Sequence, residues 1–555
     1  MTASEVSSAR RWWALIAVAA SMLVVGLDLT VLNLALPTIA TALHASTGDL
    51  QWFNSAYSLV LAALVLPAGL LGDRLGRKKV LLTSLALFGA SSAACAYAAT
   101  SGELIAARVL LGVGAAAIMP LALAIIPVLF APEEQQKATA VMASTIFLSF
   151  PIGPLAGGSL LDHFWWGSVF LINVPIVVLA LIAVAALMPE SRSGRRPRVD
   201  FPGVGISSLG LTGLTYGIIK AGQDGWGSPA ALATTAAGVV VLVLFVFWEK
   251  LLTRRVRPDA EGTPDGDGAG AVQPLIELRL FRSAGFTWGS LLAALVSFAM
   301  FGILFAMPQY FQSVGGTDAF GSGLRTLPLI GGLLAGMIAG TRLQSPRRDP
   351  AGGPGRPLAG ARSMVAIGYA VMAVSLAAGA FTRVTSDAGF TTGWFAVAGL
   401  GLGLAMPAAM NAAIGALSAE RSGAGTALIT AMRQVGATIG VAVLGTILNN
   451  AYQNRLHLTG LPAAVAGAAR SSVSGGVAVA HAIHSAALLD SVRTSFVSGL
   501  DTMLWACAGI AIASAALALA FLPRRSGPAG PTAGAAEVVP AGTGEAGPER
   551  AELGL

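Results

Sequence analysis

Charged residues are scarce in this chain: 11% of its 555 residues are Asp, Glu, Lys or Arg, while 55% are hydrophobic. Soluble domains carry roughly 25% charged residues, so the deficit excludes an ordinary water-soluble fold and points to a polytopic membrane protein. Cysteine is scarcer still. Cys95 and Cys507 both lie inside apolar runs, which excludes a disulfide framework. Five His and two Cys show no ligand spacing, so no metal site is expected. A phosphate-binding G-K-[ST] loop is also missing. Gly112-x-Gly114 and Gly399-x-Gly401-x-Gly403 follow no strand, so they read as helix-packing glycines, and an ATP-driven pump is unsupported. No cofactor is expected, and the lack of a catalytic cluster argues against an enzyme. The net charge of +7 comes with Arg clusters that lie between apolar runs, so topology explains it better than nucleic-acid binding.

Long apolar sequence is what the chain has in abundance. A membrane-crossing helix needs about 20 such residues. Runs near 12–36, 51–71, 79–99, 103–126, 138–161, 168–188, 203–220, 230–249, 285–308, 322–341, 363–382, 390–413, 426–448 and 501–522 qualify. They make about 14 spans by the length criterion, of which the seventh is short and Gly-rich. Arg10-Arg11 before the first run imitates a secretion signal. That run is long, holds Asp28 and has no small-x-small cleavage site after it, so it reads as a retained helix. Lys and Arg gather in alternate loops: Arg74, Arg77, Lys78 and Lys79; Lys137; Arg192 to Arg198; Lys250 to Arg282; Arg342 to Arg362; and Arg421. The asymmetry places both termini in the cytoplasm of a multi-pass cell-membrane protein.

The expected organisation follows. Residues 1–11 form a cytoplasmic N-terminus, 12–188 a six-helix bundle and 203–249 two intervening helices. Residues 250–284 form a cytoplasmic linker and 285–523 a second six-helix bundle, with 450–500 an external loop. The Gly/Ala/Pro/Glu-rich 524–555 reads as a disordered tail. An internal repeat supports two halves. Leu111-Gly-Val-Gly-Ala-Ala-Ala-Ile-Met-Pro120 echoes Ala398-Gly-Leu-Gly-Leu-Gly-Leu-Ala-Met-Pro407 at an offset of 287 residues, which also carries Gly153 onto Gly440 and Gly158 onto Gly445.

Five stretches carry chemistry. Gly69-Leu-Leu-Gly-Asp-Arg-Leu-Gly-Arg-Lys-Lys79 sits between two spans and reads as a tight, charged turn, with Asp73 as a buriable anion. Asp28 lies mid-helix in Gly26-Leu-Asp-Leu-Thr-Val-Leu-Asn-Leu-Ala-Leu-Pro37, where a carboxylate costs roughly 2.5–3.5 kcal/mol to insert. It is a functional candidate, or a plain interhelical ion-pair partner. Arg108, in Leu104-Ile-Ala-Ala-Arg-Val-Leu-Leu-Gly-Val-Gly114, needs an anion or carbonyls; Asp28 is the economical partner, backbone carbonyls the alternative. Gly153-Pro-Leu-Ala-Gly-Gly158 suits a helix that bends and slides, or plain close packing. Arg433, in Ala431-Met-Arg-Gln-Val-Gly436, either lines a path or pairs near a helix end.

These stretches resemble signatures of the major facilitator superfamily. The 69–79 run resembles its loop 2–3 signature G-x-L-a-D-R-x-G-R-K through Gly69, Leu71, Asp73, Arg74, Gly76, Arg77 and Lys78. The runs around Asp28, Arg108, Gly153 and Arg433 resemble L-D-x-T-x-x-N-x-A-L-P, R-x-x-x-G-x-G-a-A, G-P-x-x-G-G and R-Q-x-G of the 14-span drug/proton antiporter branch. Ser149 stands where that branch often has Gly, and Trp166 where Arg is usual.

The resemblance implies an all-α integral membrane fold of about 14 helices, in two six-helix bundles plus two intervening helices. It implies proton-coupled efflux of hydrophobic drugs or antibiotics by a monomer in the lipid bilayer, driven by the proton gradient alone. A lipid or metabolite exporter of the same fold is the alternative, and a non-transporting sensor or scaffold the reading from another class. Asp28 and Arg108 would couple protons, and Gly69, Asp73, Arg74, Gly76 and Arg77 would latch the cytoplasmic side. Gly153, Pro154, Gly157 and Gly158 would form the antiporter helix. Asn33, Trp52, Tyr57, Phe147, Phe298, Met300, Asn411, Arg433 and Gln434 are candidates for the substrate pocket. Asp28 is the one firm acid counted within the spans, while Glu103 and Asp162 sit nearer helix ends.

Overall fold

A computed structural model describes residues 8–191, 200–255, 275–276, 278–345, 359–417 and 422–523. The expected tail, most of the linker and the basic residues Arg192, Arg195, Arg196, Arg198, Arg347, Arg348, Arg356 and Arg421 lie outside them. The described residues are helical and turn in character, with no strand among them.

The first half contains α1 (Ser8–Ala42), α2 (Thr47–Leu75), α3 (Arg77–Ala96), α4 (Ser101–Ala124), the single turn α5 (Ile126–Leu129), α6 (Pro132–His163), the turn α7 (Ser168–Leu171) and α8 (Asn173–Leu187). Two helices intervene, α9 (Phe201–Asp224) and α10 (Pro229–Arg255). The second half has α11 (Ala284–Gln309), α12 (Ala319–Gln344), α13 (Ala361–Gly379), α14 (Ala388–Ile414), α15 (Ser422–Arg455), the short α16 (Ala463–Ser471) and α17 (Val473–Ala482), and α18 (Ala486–Phe521). Thirteen helices among the described residues are long and apolar enough to cross a membrane. The seventh expected span, α9, is not among these thirteen, although it runs 24 residues. It packs on α10, α2 and α15, burying small residues such as Gly210 and Gly217, so packing compensates for its modest apolarity.

The repeat is structural as well as sequential. A methyl group on Gly112 would sit 2.8 Å from the Tyr57 carbonyl of α2, and one on Gly114 would sit 2.8 Å from the Phe88 nitrogen of α3. The equivalent Gly399 abuts the Leu329 carbonyl of α12, and a methyl on Gly401 would sit 2.7 Å from the Gly368 carbonyl of α13. In each half one G-x-G wedge therefore seats the fourth helix between the second and third, because only a missing Cβ lets backbones approach so closely.

Two expectations change. The 450–500 segment is mostly helical: α15 continues to Arg455, α16 and α17 fold over that end, and α18 begins at Ala486. Alanine is the strongest helix former, and Ser472 and Ser485 supply N-caps by accepting from Gly475 N and Leu488 N. The tight turn expected over 69–79 is confined to a single residue. Helix α2 runs to Leu75, α3 starts at Arg77, and Gly76 alone breaks them, at φ 116°. A side chain at that φ would be strained.

Call the end of the molecule carrying Arg74, Arg77, Lys78 and Lys79 the basic end. The halves meet at the opposite, far end. There Gln51 Nε2 donates to Val441 O at 3.2 Å and Ala442 O at 3.0 Å. Thr47 Oγ1 donates to Ser471 O at 3.0 Å and Gln312 Nε2 to Leu34 O at 2.9 Å. Toward the basic end the halves part around a cavity of about 360 Å³, with Val65, Met119 and Leu123 on one side and Ala427 and Thr430 on the other.

Candidate functional site

Midway along α1, Asp28 Oδ2 accepts from Arg108 Nη1 of α4 at 2.6 Å. Both side chains are 1% exposed. The guanidinium also donates through Nε to the Phe53 carbonyl of α2 at 2.9 Å, and lies over the Tyr57 ring, 4.5 Å from its centroid. The two partners that the sequence left as alternatives are thus both used. The site joins three helices of the first half through one cation. Removing one member of a buried pair typically costs about 3–5 kcal/mol, because the other charge stays buried without compensation. Arg108 is held by a carbonyl and a ring as well as by a carboxylate. Neutralising Asp28 therefore removes one of three supports and leaves the cation its other two.

At the basic end, Asp73 Oδ1 pairs with Arg77 at 2.8 Å across the Gly76 break. Arg77 Nη1 donates to the Ala124 carbonyl at the last turn of α4, at 3.0 Å, and its backbone N to Ser191 O at 2.9 Å. Lys78 Nζ donates to Ala185 O of α8 at 2.6 Å. Cations on C-terminal carbonyls complement the helix dipole. Gly69 and Arg74 lie on α2, where Arg74 is exposed. Among the described residues, the partners of this cluster all lie between Asp73 and Ser191, so they do not tie the charged junction to the second half.

Helix α6 lies between α1 and α12. A methyl on Gly157 would come within 2.9 Å of Val31 Cγ1 of α1, and Gly153 abuts Thr30. On another side of α6, a methyl on Gly158 would lie 2.6 Å from Phe320 Cα and 2.9 Å from Ala319 O of α12, and the Pro154 carbonyl abuts Gly323. Asp162, one turn beyond, accepts from Ala319 N at 3.1 Å and Phe320 N at 3.0 Å, capping α12 from across the interface. The expected antiporter helix is therefore a contact both within one half and between halves.

The pocket candidates do not converge on one site. Asn33 and Met300 line a small cavity of about 20 Å³ between the halves, together with Thr30, Phe150 and Pro154. Asn33 also accepts from Asn54 Nδ2 of α2 at 3.1 Å. Trp52 instead faces the intervening helix, 6.3 Å from the Tyr216 ring, and Tyr57 is enclosed beneath Arg108. Phe298 lines a separate chamber beside α9 and α10. Phe147 is half-buried on α6, Asn411 is exposed near the end of α14, and Gln434 is buried on α15. Arg433 reaches Ser297 Oγ at 3.4 Å and Met410 Sδ at 3.9 Å, both neutral. It sits inside the second half, not at a helix end.

The count of one membrane acid also changes. Glu249 on α10 is fully buried, with Oε2 accepting from Ile276 N at 3.3 Å, and Asp501 on α18 has an enclosed Oδ1 with no partner among the described residues. Asp200 caps α9 through Gly203 N and accepts from Trp248 Nε1 at 2.8 Å. Glu249 escaped notice because it follows Trp248 at what reads as a span's end, and Asp501 because it lies where a loop was expected to pass into a span. Glu103 is exposed and accepts from Ala99 N at 2.8 Å, within its own loop.

Two pseudo-symmetric helical halves around a cleft, with an ion pair buried in the membrane interior, define a membrane transporter. The chain belongs to the Major Facilitator Superfamily, whose family model matches residues 18–441. It is 31% identical to the tetracenomycin C resistance and export protein of Streptomyces glaucescens, over 92% of this chain and 91% of that one. It is 33% identical to the multidrug efflux pump LfrA of Mycolicibacterium smegmatis (92% and 95% covered) and 31% identical to the methyl viologen resistance protein SmvA of Salmonella typhimurium (88% and 93%). Among solved structures, it resembles an inward-facing bacterial homologue of the human lysosomal transporter Spinster, with TM-score 0.65 at 16% identity, covering 93% of this chain and 97% of that one. A D-xylose–proton symporter superposes with TM-score 0.57 at 14% identity, covering 93% and 99%.

Proposed function

We propose that this protein exports hydrophobic small molecules across the cytoplasmic membrane in exchange for protons, by alternating access. The observation that carries the reading is the buried Asp28–Arg108 pair at 2.6 Å, a proton acceptor held by a cation with two other supports. The positive-inside rule turns the basic end to the cytoplasm, so the cleft at that end faces inward and the contacts at the far end close the outside. In the proposed cycle a proton reaches Asp28 from outside and frees Arg108 from its carboxylate. The halves rock, the proton leaves inward and substrate leaves outward. No cofactor takes part and a single chain suffices. The relatives' names, which speak of resistance and export of antibiotics and drugs, support export as the direction. The test is transport into inside-out proteoliposomes with an acid interior. Uptake of a hydrophobic fluorescent dye should follow the imposed pH gradient and stop with a protonophore; uptake indifferent to the gradient would refute proton coupling.

The charged junction at the basic end acts as a latch in this cycle, closing the cytoplasmic side when the far end opens. Replacing Asp73 with Ala removes Arg77's carboxylate but leaves its Ala124 contact. Turnover should slow by about tenfold, a barrier change of about 1.4 kcal/mol, with equilibrium dye binding unchanged. Weakened binding at normal turnover would contradict the latch.

Substrates are neutral, zwitterionic or anionic in preference to dicationic. Asp28 is already paired, Glu103 and Asp162 are engaged at helix ends, neither Glu249 nor Asp501 lines the cleft, and Arg433 has neutral neighbours. A dication entering such a cleft would lose hydration without gaining a carboxylate. Whole-cell efflux of matched uncharged, monocationic and dicationic compounds, with methyl viologen as a dication, should favour the uncharged. Stronger export of the dications would overturn the charge argument.

A further inference from the structure

The small cavity between the halves and the cleft at the basic end do not account for all the open volume. A third chamber, of about 420 Å³, lies on the outer side of the α2–α15 pair. Its inner wall is Ala62, Ala63 and Leu66 of α2 with Leu428 and Met432 of α15; Leu211 and Phe245 of the intervening helices close it from outside. The volume is within the range of small-molecule sites. The Ser207 hydroxyl at its wall is already spent on Val204 O at 3.1 Å, so the lining offers an occupant apolar contact and little else.

The chamber and the central cleft share walls. On α2, Val65 faces the cleft while Leu66 and Ala62 face the chamber; on α15, Ala427 and Thr430 face the cleft while Leu428 and Ala431 face the chamber. The two helices touch through Gln51 at the far end and have cavities on both sides of them toward the basic end. The α9–α10 hairpin is tied down beside the chamber. Trp248 donates to the Asp200 cap at 2.8 Å, and buried Glu249 accepts from Ile276 N, so Leu275 and Ile276 are drawn against the chamber.

We infer that this chamber is a lateral antechamber: a hydrophobic, uncharged molecule leaves the membrane under the intervening helices, binds there, and passes between α2 and α15 into the cleft. The assignment rests on the efflux reading for what the site serves, while the binding itself does not depend on it. It gives α9 and α10 a function that two complete six-helix halves do not supply.

The probe is 3-trifluoromethyl-3-(m-iodophenyl)diazirine, a neutral apolar photolabel, applied to the purified full chain in phosphatidylcholine nanodiscs, with adducts mapped by mass spectrometry. Adducts are expected on Ala63, Leu66 and Leu428. Leu211→Trp fills the chamber and should reduce them by at least about fivefold, while adducts on the exposed Leu209 and Val240 stay unchanged as an internal control. Phe245→Trp, a milder filling, guards against misfolding of the first variant, and gel filtration checks both. Adducts confined to the exposed helix faces would overturn the proposal. So would wall adducts that appear in detergent and vanish in nanodiscs, since acyl chains would then own the chamber. Wall adducts in a protein that shows no gradient-driven transport would sink the efflux reading and leave the antechamber standing.

Discussion

Asp28→Asn should abolish gradient-driven transport while the protein still folds and inserts. Asn matches Asp in shape but takes up and releases no proton, so the exchange loses its ionisable step. Arg108 keeps the Phe53 carbonyl at 2.9 Å and the Tyr57 ring at 4.5 Å, so the cation is not stranded. The stability loss should therefore fall at or below the low end of the roughly 3–5 kcal/mol typical for breaking a buried pair. Uptake against a gradient should drop to the level of empty liposomes. Counterflow of labelled against unlabelled dye, which needs no net proton movement, should persist. The pair of assays separates coupling from folding: loss of both, with a normal gel-filtration profile, would make Asp28 a structural partner only. Accumulation at the wild-type rate in Asp28→Asn would remove Asp28 from the mechanism.

Gly158→Val should prevent closure of the far end. A methyl at Gly158 would already lie 2.6 Å from Phe320 Cα and 2.9 Å from Ala319 O. These are backbone atoms of another helix, so no rotamer change relieves the clash, and α6 and α12 must separate. Separation also breaks the Asp162 cap on α12. Its repeat counterpart Gly445 faces the flexible Gln51 side chain, so an equivalent change there is milder. With the far end held apart, the arrangement open to the basic end becomes a minor state. A shift of about 2.7 kcal/mol, two powers of ten in population, is expected from overpacking of this kind. The measurement is thiol labelling of Thr430→Cys, in the cleft, by an impermeant maleimide supplied at the basic end. Gly158→Val should slow it by at least about tenfold and reduce transport to a few per cent. Labelling and transport at the unsubstituted rates would mean that the halves do not part along α6 and α12.

Much of the architecture was legible because a bilayer imposes a length. Each apolar run near 20 residues maps onto helix, most with ends shifted by a few residues and the last beginning much earlier, at Ala486, since backbone groups in lipid have no partner but their own helix. The G-x-G wedges were legible for a related reason: only glycine lets the fourth helix of each half sit against two neighbours, so the pattern survives in both. Asp28 and Arg108 stood out because an ionised group inside a membrane needs a partner. Trp52 and Phe298 were misassigned as members of one pocket because a span is apolar around most of its circumference. Periodicity then carries no mark separating a face toward a cleft from one toward lipid or an intervening helix. Residues 450–500 read as loop because they are too broken to span, yet short alanine-rich helices need no such length.

The sequence by itself determined the solvent, the approximate number of membrane-length helices, the two-fold repeat and the rarity of intramembrane charge, because each depends on composition along the chain. Only the tertiary structure decided that Arg108 is shared among Asp28, Phe53 and Tyr57, that Asp162 caps a helix of the other half, and that the halves close at the far end and open at the basic one. Those outcomes depend on which helix faces meet. Between helices that are apolar on nearly every side, the meeting is set by close packing of small residues and a few polar contacts, not by hydrophobic pattern.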